Sequence, residues 1–250
     1  MQKSVTIMHP GDTENKKHMR DCKRRRFYGR RHGKTLRSVQ RGLMDTLFPE
    51  LEITRPGTGE QTTLQTLFRH PVKEVWLEIG FGGGEHLAAQ AESRPDVGFI
   101  GAEPFVNGIG KLLSHIQSRN LGNIRIYGDD VRPWLDTLPD ACLDRVFLLF
   151  PDPWPKTRHR ERRFINPWNL DLLARVMKDN AVLRVASDDP TYVRHTLAVA
   201  PAHPLFRWNP KRPADWRDRW TDAVESRYEA KAHREGRMPH YFTFHRIPRG

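Results

Sequence analysis

The sequence predicts a doubly wound α/β fold: a mostly parallel sheet with helices on both faces and antiparallel strands closing one edge. Three features of the 250 residues carry that expectation. From residue 74 onward, short apolar runs alternate with segments of helical periodicity. The run 146–150 is apolar without alternating, as a strand buried on both faces requires. Between the first apolar run and the first helical segment lies a glycine-rich turn containing Gly80, Gly82 and Gly84.

The elements follow in order. Residues 1–22 are polar and aperiodic and read as a disordered basic N-terminal arm, with 23–250 as a single domain. Val39, Leu43, Met44, Leu47 and Phe48 recur at helical spacing, and Pro49 predicts the end of that helix. Residues 53–62 read as a loop around Arg55-Pro56-Gly57-Thr58-Gly59. Strands are expected over 75–79, 97–102, 124–127, 145–150 and 181–186. The helices between them are expected over 84–93, over 106–119 on the face of Val106, Ile109, Leu112, Leu113 and Ile116, and over about 131–138. Leu170, Leu173, Ala174 and Met177 mark another helix, opened by Asn166-Pro167, and a last one covers 190–199. The runs 206–208 and 241–246 are expected to close the sheet edge.

Composition removes several classes. A hydrophobic fraction of 37% suffices for a core at this length. The two cysteines, Cys22 and Cys142, have no disulfide-scaffold or metal-site spacing, so no metal is expected and a reducing compartment fits. The longest strongly apolar run falls far short of the ~20 residues of a membrane helix, and residues 1–20 hold no apolar core of a secretory signal. A soluble cytoplasmic protein is the expectation. Net charge is +12, and residues 16–41 carry nearly all of it, with 12 Lys/Arg against the single acid Asp21. A near-neutral body with a basic arm points to a polyanionic partner.

In a doubly wound sheet, ligands sit beyond the carboxyl ends of the strands. The unusual polar residues of this chain fall there. The segment Glu78 to Glu85, EIGFGGGE, lets the backbone turn tightly and a ligand approach closely at Gly80 and Gly82. Glu103, at the end of the second strand, can accept two hydrogen bonds from a ribose diol, so the pair suits an adenosine-containing cofactor. The glycine spacing is G-x-G-x-G, and position 85 is Glu where a dinucleotide fold packs Gly or Ala. Acids at Glu78 and Glu85 would repel a pyrophosphate but attract an ammonium or a sulfonium. These details favour S-adenosylmethionine. At the third strand end, Asp129 or Asp130 can accept from an adenine amine while the other caps the helix that follows; counting favours Asp129.

The fourth strand ends in FPDPWPKTRHRERR, Phe150 to Arg163. Three prolines stiffen the backbone and hold Asp152 and Trp154 at the sheet edge. Lys156, Arg158, Arg160, Arg162 and Arg163 follow at once. A rigid carboxylate, an aromatic ring and a cationic strip describe a base pocket beside a phosphate track.

Taken together, EIGFGGGE, the Glu103-Pro104-Phe105 strand end, FPDPWPK with RHRERR, and the late SRYEAKA resemble the bacterial tRNA (guanine-N7-)-methyltransferases over about residues 23–247. The resemblance implies a class I methyltransferase fold, S-adenosylmethionine as donor and N7 of a variable-loop guanosine in tRNA as acceptor. It implies that Glu78, Glu103 and Asp129 (or Asp130) bind the cofactor and that Asp152 is both cofactor-proximal and catalytic. Lys156 and Asp188 would contact substrate. The family's Thr-x-x-Glu segment corresponds here to Ser226 and Glu229, with Thr221 as another hydroxyl nearby. The order Pro151-Asp152-Pro153 departs from the motif of enzymes that methylate exocyclic base amines, which place the polar residue before two adjacent prolines.

N7 of guanine carries a free lone pair, so its methylation needs alignment rather than a general base. A fixed carboxylate such as Asp152 would stabilise the positive charge that develops. Residues 1–37 are expected to serve tRNA binding, and their removal to leave cofactor binding nearly unchanged.

Overall fold

The computed structural model describes residues 27–54 and 63–250. The arm expected over 1–22 and most of the loop expected over 53–62 lie outside the described residues.

Among the described residues seven strands form one sheet: β1 (Glu74–Ile79), β2 (Val97–Ala102), β3 (Ile124–Tyr127), β4 (Leu143–Leu149), β5 (Met177–Ser187), β6 (Phe206–Trp208) and β7 (His240–Arg246). Their order is β3-β2-β1-β4-β5-β7-β6. The first five are parallel, while β7 runs antiparallel to both β5 and β6. The expected doubly wound architecture with antiparallel closing strands is what forms.

Strand periodicity divides two cores. Val75, Leu77 and Ile79 of β1 face one, together with Trp134, Leu170, Leu173 and Tyr192. Those side chains come from α5 (Val131–Leu135), α6 (Pro167–Val176) and α7 (Pro190–Val199). Trp76 of β1, Phe99 of β2 and Phe147 of β4 face the other, against Leu43, Leu87, Ile109, Leu112 and Leu113. These belong to α1 (Ser38–Thr46), α3 (Glu85–Ser93) and α4 (Val106–Arg119). Apolar residues on both sides of a strand explain why the parallel runs hardly alternate.

Pro49 does not stop the first helix. That helix ends at Thr46, and Pro49 sits in the first turn of a separate short helix, α2 (Phe48–Leu51), where its missing N–H is not needed. The helix expected over 131–138 ends at Leu135. Two short helices, α8 (Ala214–Arg217) and α9 (Arg227–Arg234), and 3-10 turns over Leu64–Leu67 and Thr157–Arg162 complete the described elements. Among the described residues no helix is long and apolar enough to cross a membrane.

Candidate active site

The carboxyl ends of β1 to β4 open onto a cavity of about 380 Å³, within the range of small-molecule sites. Gly80, Gly82, Glu103, Asp129, Asp130 and Asp152 line it, so loops after four successive strands converge as the sequence predicts.

The glycine turn is built on backbone that side chains avoid. Gly80, Gly82 and Gly84 have φ of +72°, +58° and +78°, and Gly84 caps the start of α3. At Gly82 a side chain would also collide with the Tyr228 ring, 2.8 Å from where its Cβ would stand. Only a glycine keeps both the turn and the open cradle. Glu78 lies beneath the turn rather than on the cavity wall: it is buried, and its carboxylate meets His86 Nδ1 of α3 at 2.7 Å. Glu78 thereby ties β1 to the helix that follows the glycines.

Glu103 is buried at the cavity wall and accepts from the N–H groups of Gly82 and Phe105, at 2.8 and 2.9 Å. Burial pushes its carboxyl above the usual glutamate range. The two N–H groups oppose that shift, the nearby charge of Asp152 adds to it, and Arg227 counters it. Two backbone donors leave further acceptor positions on the carboxylate for a ribose diol.

The two aspartates after β3 divide their work. Asp130 caps α5, accepting from Arg132 N–H at 3.2 Å, and its carboxylate meets the Arg132 guanidinium at 2.9 and 2.6 Å. Asp129 points outward and takes the Arg31 guanidinium on Oδ1 at 2.6 Å. Its other oxygen takes no hydrogen bond from the described residues.

Past β4 the backbone is strained. Phe150 and Trp154, neither a glycine, sit at φ of +49° and +43°, conformations that surrounding contacts must impose. Arg163 is one such contact. It is buried, and it donates from Nε to the Pro153 carbonyl and from Nη2 to the Trp154 carbonyl, both at 2.9 Å. Arg163 therefore leaves the cationic strip in which the sequence places it and holds the loop from within. Arg162 leaves it too: its guanidinium carbon stands 4.4 Å from the Tyr28 ring centre and 4.8 Å from that of Trp154. Lys156, Arg158 and Arg160 stay exposed. Asp152 is exposed on the cavity wall, and its carboxylate takes no hydrogen bond from the described residues.

Besides Glu78 and Lys156, three residues named from the sequence stand away from the cavity lining. Asp188 is ion-paired with Arg237. The Ser226 hydroxyl caps α9 by accepting from Glu229 N–H at 3.2 Å. The Glu229 carboxylate is buried, accepts from the Tyr241 hydroxyl and lies 3.3 Å from Arg219 Nε. Tyr228, between Ser226 and Glu229, is the residue of that segment that lines the cavity.

Sequence reasoning missed a second wall. Phe27, Tyr28, Gly29 and Arg30 line the cavity. The same segment is laced to α4: Val106 N–H donates to Arg31 O at 2.9 Å, and Gly33 N–H to Asn107 Oδ1 at 2.7 Å. Residues 1–37, which the sequence assigns to tRNA binding, thus include four that line this cavity. No group of three or more His, Cys, Asp or Glu among the described residues is arranged to hold a metal ion.

The family described as "Putative methyltransferase" matches residues 72–241. A protein of Rhodospirillum rubrum named tRNA (guanine-N(7)-)-methyltransferase is 55% identical, the match covering 90% of this chain and 89% of that one. A protein of Ruegeria pomeroyi with the same name is 49% identical, over 91% and 97% of the two chains. Among solved structures, the 16S rRNA methyltransferase KamB superposes with a TM-score of 0.51 at 15% identity, covering 78% of this chain and 99% of that one. At that identity the likeness concerns the fold alone.

Proposed function

The chain belongs to the tRNA (guanine-N7-)-methyltransferase family, and from that premise we propose that it transfers a methyl group from S-adenosylmethionine to N7 of a guanosine in the variable loop of tRNA, in the cytoplasm. The observation that carries this reading is the meeting of Glu103, Asp129 and Asp152, from the ends of β2, β3 and β4, around the glycine turn that follows β1.

The residues fit the donor. Gly82 leaves a cradle that any side chain would fill, Glu103 keeps acceptor positions for a ribose, and Asp129 has an oxygen free for the adenine amine. Asp130, committed to its cap and to Arg132, supports the wall rather than the ligand. S-adenosylmethionine supplies an electrophilic methyl group on a sulfonium sulfur. The N7 lone pair forms the new N–C bond as the C–S bond breaks, the bonding pair stays on sulfur, and the purine takes up the positive charge. No proton moves, so the chain needs no general base.

What the protein supplies is alignment and charge. Asp152 accepts from the N1–H and amino edge of the guanine and stabilises the cation that forms. The prolines and Arg163 hold that carboxylate still, and near-attack positioning of this kind is worth ~7–11 kcal/mol in favourable cases. Lys156, Arg158 and Arg160, together with the basic residues of the arm 1–22, neutralise tRNA phosphates. The remainder, 23–250, forms one catalytic domain.

The test is methyl transfer from labelled S-adenosylmethionine to unmodified tRNA transcripts, followed by digestion to nucleosides and mapping of the modified position. Label in 7-methylguanosine is expected, with turnover of Asp152→Ala down ~10²–10³-fold. Label in another nucleoside overturns the acceptor, and a loss below about tenfold overturns the role of Asp152.

A further inference from the structure

We propose that Trp154 is a catalytic residue whose ring face receives the positive charge created on the purine, and that Arg162 occupies that seat until the base arrives. The inference rests on the reaction proposed above and adds to it a group that carries no charge of its own.

The ring is held in place before any substrate binds. Trp154 is kept at a positive φ, and its carbonyl and that of Pro153 are both held by the buried Arg163. Tyr28 and His159 pack against the Trp154 ring, at centroid distances of 6.3 and 5.8 Å, both near-perpendicular. It lines the same cavity as Asp152, two residues away, and Tyr28 lines it from the opposite segment. A base that reaches Asp152 with its N1 edge therefore lies against Trp154.

The seat shows its preference in its present occupant. The Arg162 guanidinium is a flat, delocalised cation, and it sits within cation–π range of both Trp154 and Tyr28. A guanine methylated at N7 is also a flat, delocalised cation, whereas guanine itself is neutral. The ring quadrupole attracts the product-like state and is nearly indifferent to the ground state. An interaction that grows as the N–C bond forms lowers the barrier rather than the KM. Arg162 lies at the end of the 3-10 turn, beside the exposed Lys156, Arg158 and Arg160. On leaving the ring it can follow them onto a phosphate.

The experiment changes the ring's charge distribution and little else. Trp154 alone is replaced, by site-specific incorporation, with mono-, di- and trifluorotryptophan, which drain electron density from the ring face while nearly preserving its shape. Single-turnover 7-methylguanosine formation on a tRNA transcript should fall stepwise with each fluorine, by about tenfold across the series. The Kd for S-adenosylmethionine and for tRNA should stay within about twofold. A flat series in active protein overturns the role of Trp154 and leaves the assigned reaction standing. No methyl transfer by the unsubstituted chain overturns that reaction and this proposal with it. Binding of free nucleotides gives a second readout. 7-Methylguanosine 5′-monophosphate should bind several-fold more tightly than guanosine 5′-monophosphate, by a margin that shrinks along the fluorine series. Equal binding of the two nucleotides overturns the proposal.

Discussion

Arg31 donates to Asp129 Oδ1 at 2.6 Å across 98 residues of sequence, fastening the first described segment to the end of β3. Both side chains are about half exposed, so the pair contributes little to stability, about 0–1 kcal/mol. Its consequence is orientation, because it holds Oδ1 and leaves the other carboxylate oxygen of this cavity-lining residue unbonded among the described residues. Arg31→Ala should weaken S-adenosylmethionine binding about threefold with Tm nearly unchanged, and Asp129→Ala should weaken it about tenfold or more. Calorimetric titration decides this: an Asp129→Ala variant that binds the cofactor like the wild type removes Asp129 from the adenine site.

The Arg163 clamp predicts a different pair of effects. Losing it unmakes two hydrogen bonds from a charged donor and leaves the carbonyls of Pro153 and Trp154 without it. Arg163→Ala should lower unfolding free energy by about 3 kcal/mol and, by letting Asp152 and Trp154 drift, reduce single-turnover methylation at least about tenfold. Urea denaturation and rapid-quench kinetics on the same preparation read the two separately. A destabilised variant with an unaltered rate would show that the prolines alone position the loop.

Asp222 predicts an acid-sensitive fastening. Its carboxylate meets Arg184 at 2.6 Å, Arg145 at 3.3 Å and Arg94 at 3.4 Å, pinning the segment before α9 to β4, β5 and the residue that ends α3. Burial works to raise the Asp222 carboxyl, but the hydrogen bond from Arg184 and the charges of Arg184, Arg145 and Arg94 outweigh it and hold it below the usual range. A carboxyl lowered by folding stabilises the protein above its unfolded value, about 3.9, and that contribution disappears as pH falls through the folded value. Asp222→Asn should therefore cost about 2 kcal/mol at pH 7. Its denaturation curve should converge with that of the wild type only below about pH 4. A constant gap from pH 7 to pH 3 would remove the ion cluster as the cause.

The positions of the parallel strands and most helix bounds were legible because each parallel strand packs apolar side chains on both faces and each long helix shows an apolar stripe. Gly80, Gly82 and Gly84 were legible for a similar reason: a strand running into a helix through three glycines has few other backbone solutions. α9 was not legible as a helix, because its buried face is Glu229 and Ala232 rather than an apolar stripe. The signal that marks its start is the capping pattern Ser226-x-x-Glu229, which reads equally as a pair of substrate contacts. In the run of cations after Trp154, nothing local separates Arg163, which turns inward, from Arg160, which stays out. That difference comes from the carbonyls exposed by the left-handed residues, a feature of three dimensions. Phe27 and Tyr28 meet the cavity only because the chain crosses α4 on its way to α1.

With Glu103 proposed to hold the ribose, its carboxyl should set the pH dependence of cofactor binding. Burial pushes its carboxyl above the usual glutamate range, helped by Asp152 and opposed by Phe105 and Gly82 N–H and by Arg227. The sign follows from which form binds. In the proposed site the ionised carboxylate would accept from both ribose hydroxyls while keeping its backbone donors, whereas the protonated acid would give up an acceptor position. Affinity for S-adenosylmethionine should therefore be full at the alkaline end and fall on acidification, beginning at a pH higher than the ~4.3 of an ordinary glutamate would produce. Glu103→Gln has no such proton to gain. It should bind about tenfold or more weakly at pH 8, having lost charge-assisted acceptors, and its affinity should change little down to pH 5. Titration calorimetry of both proteins over that range decides the matter. If Glu103→Gln keeps the wild-type pH profile, the titrating group lies elsewhere in the cavity, and Asp152, whose charge already acts on Glu103, becomes the residue to replace next.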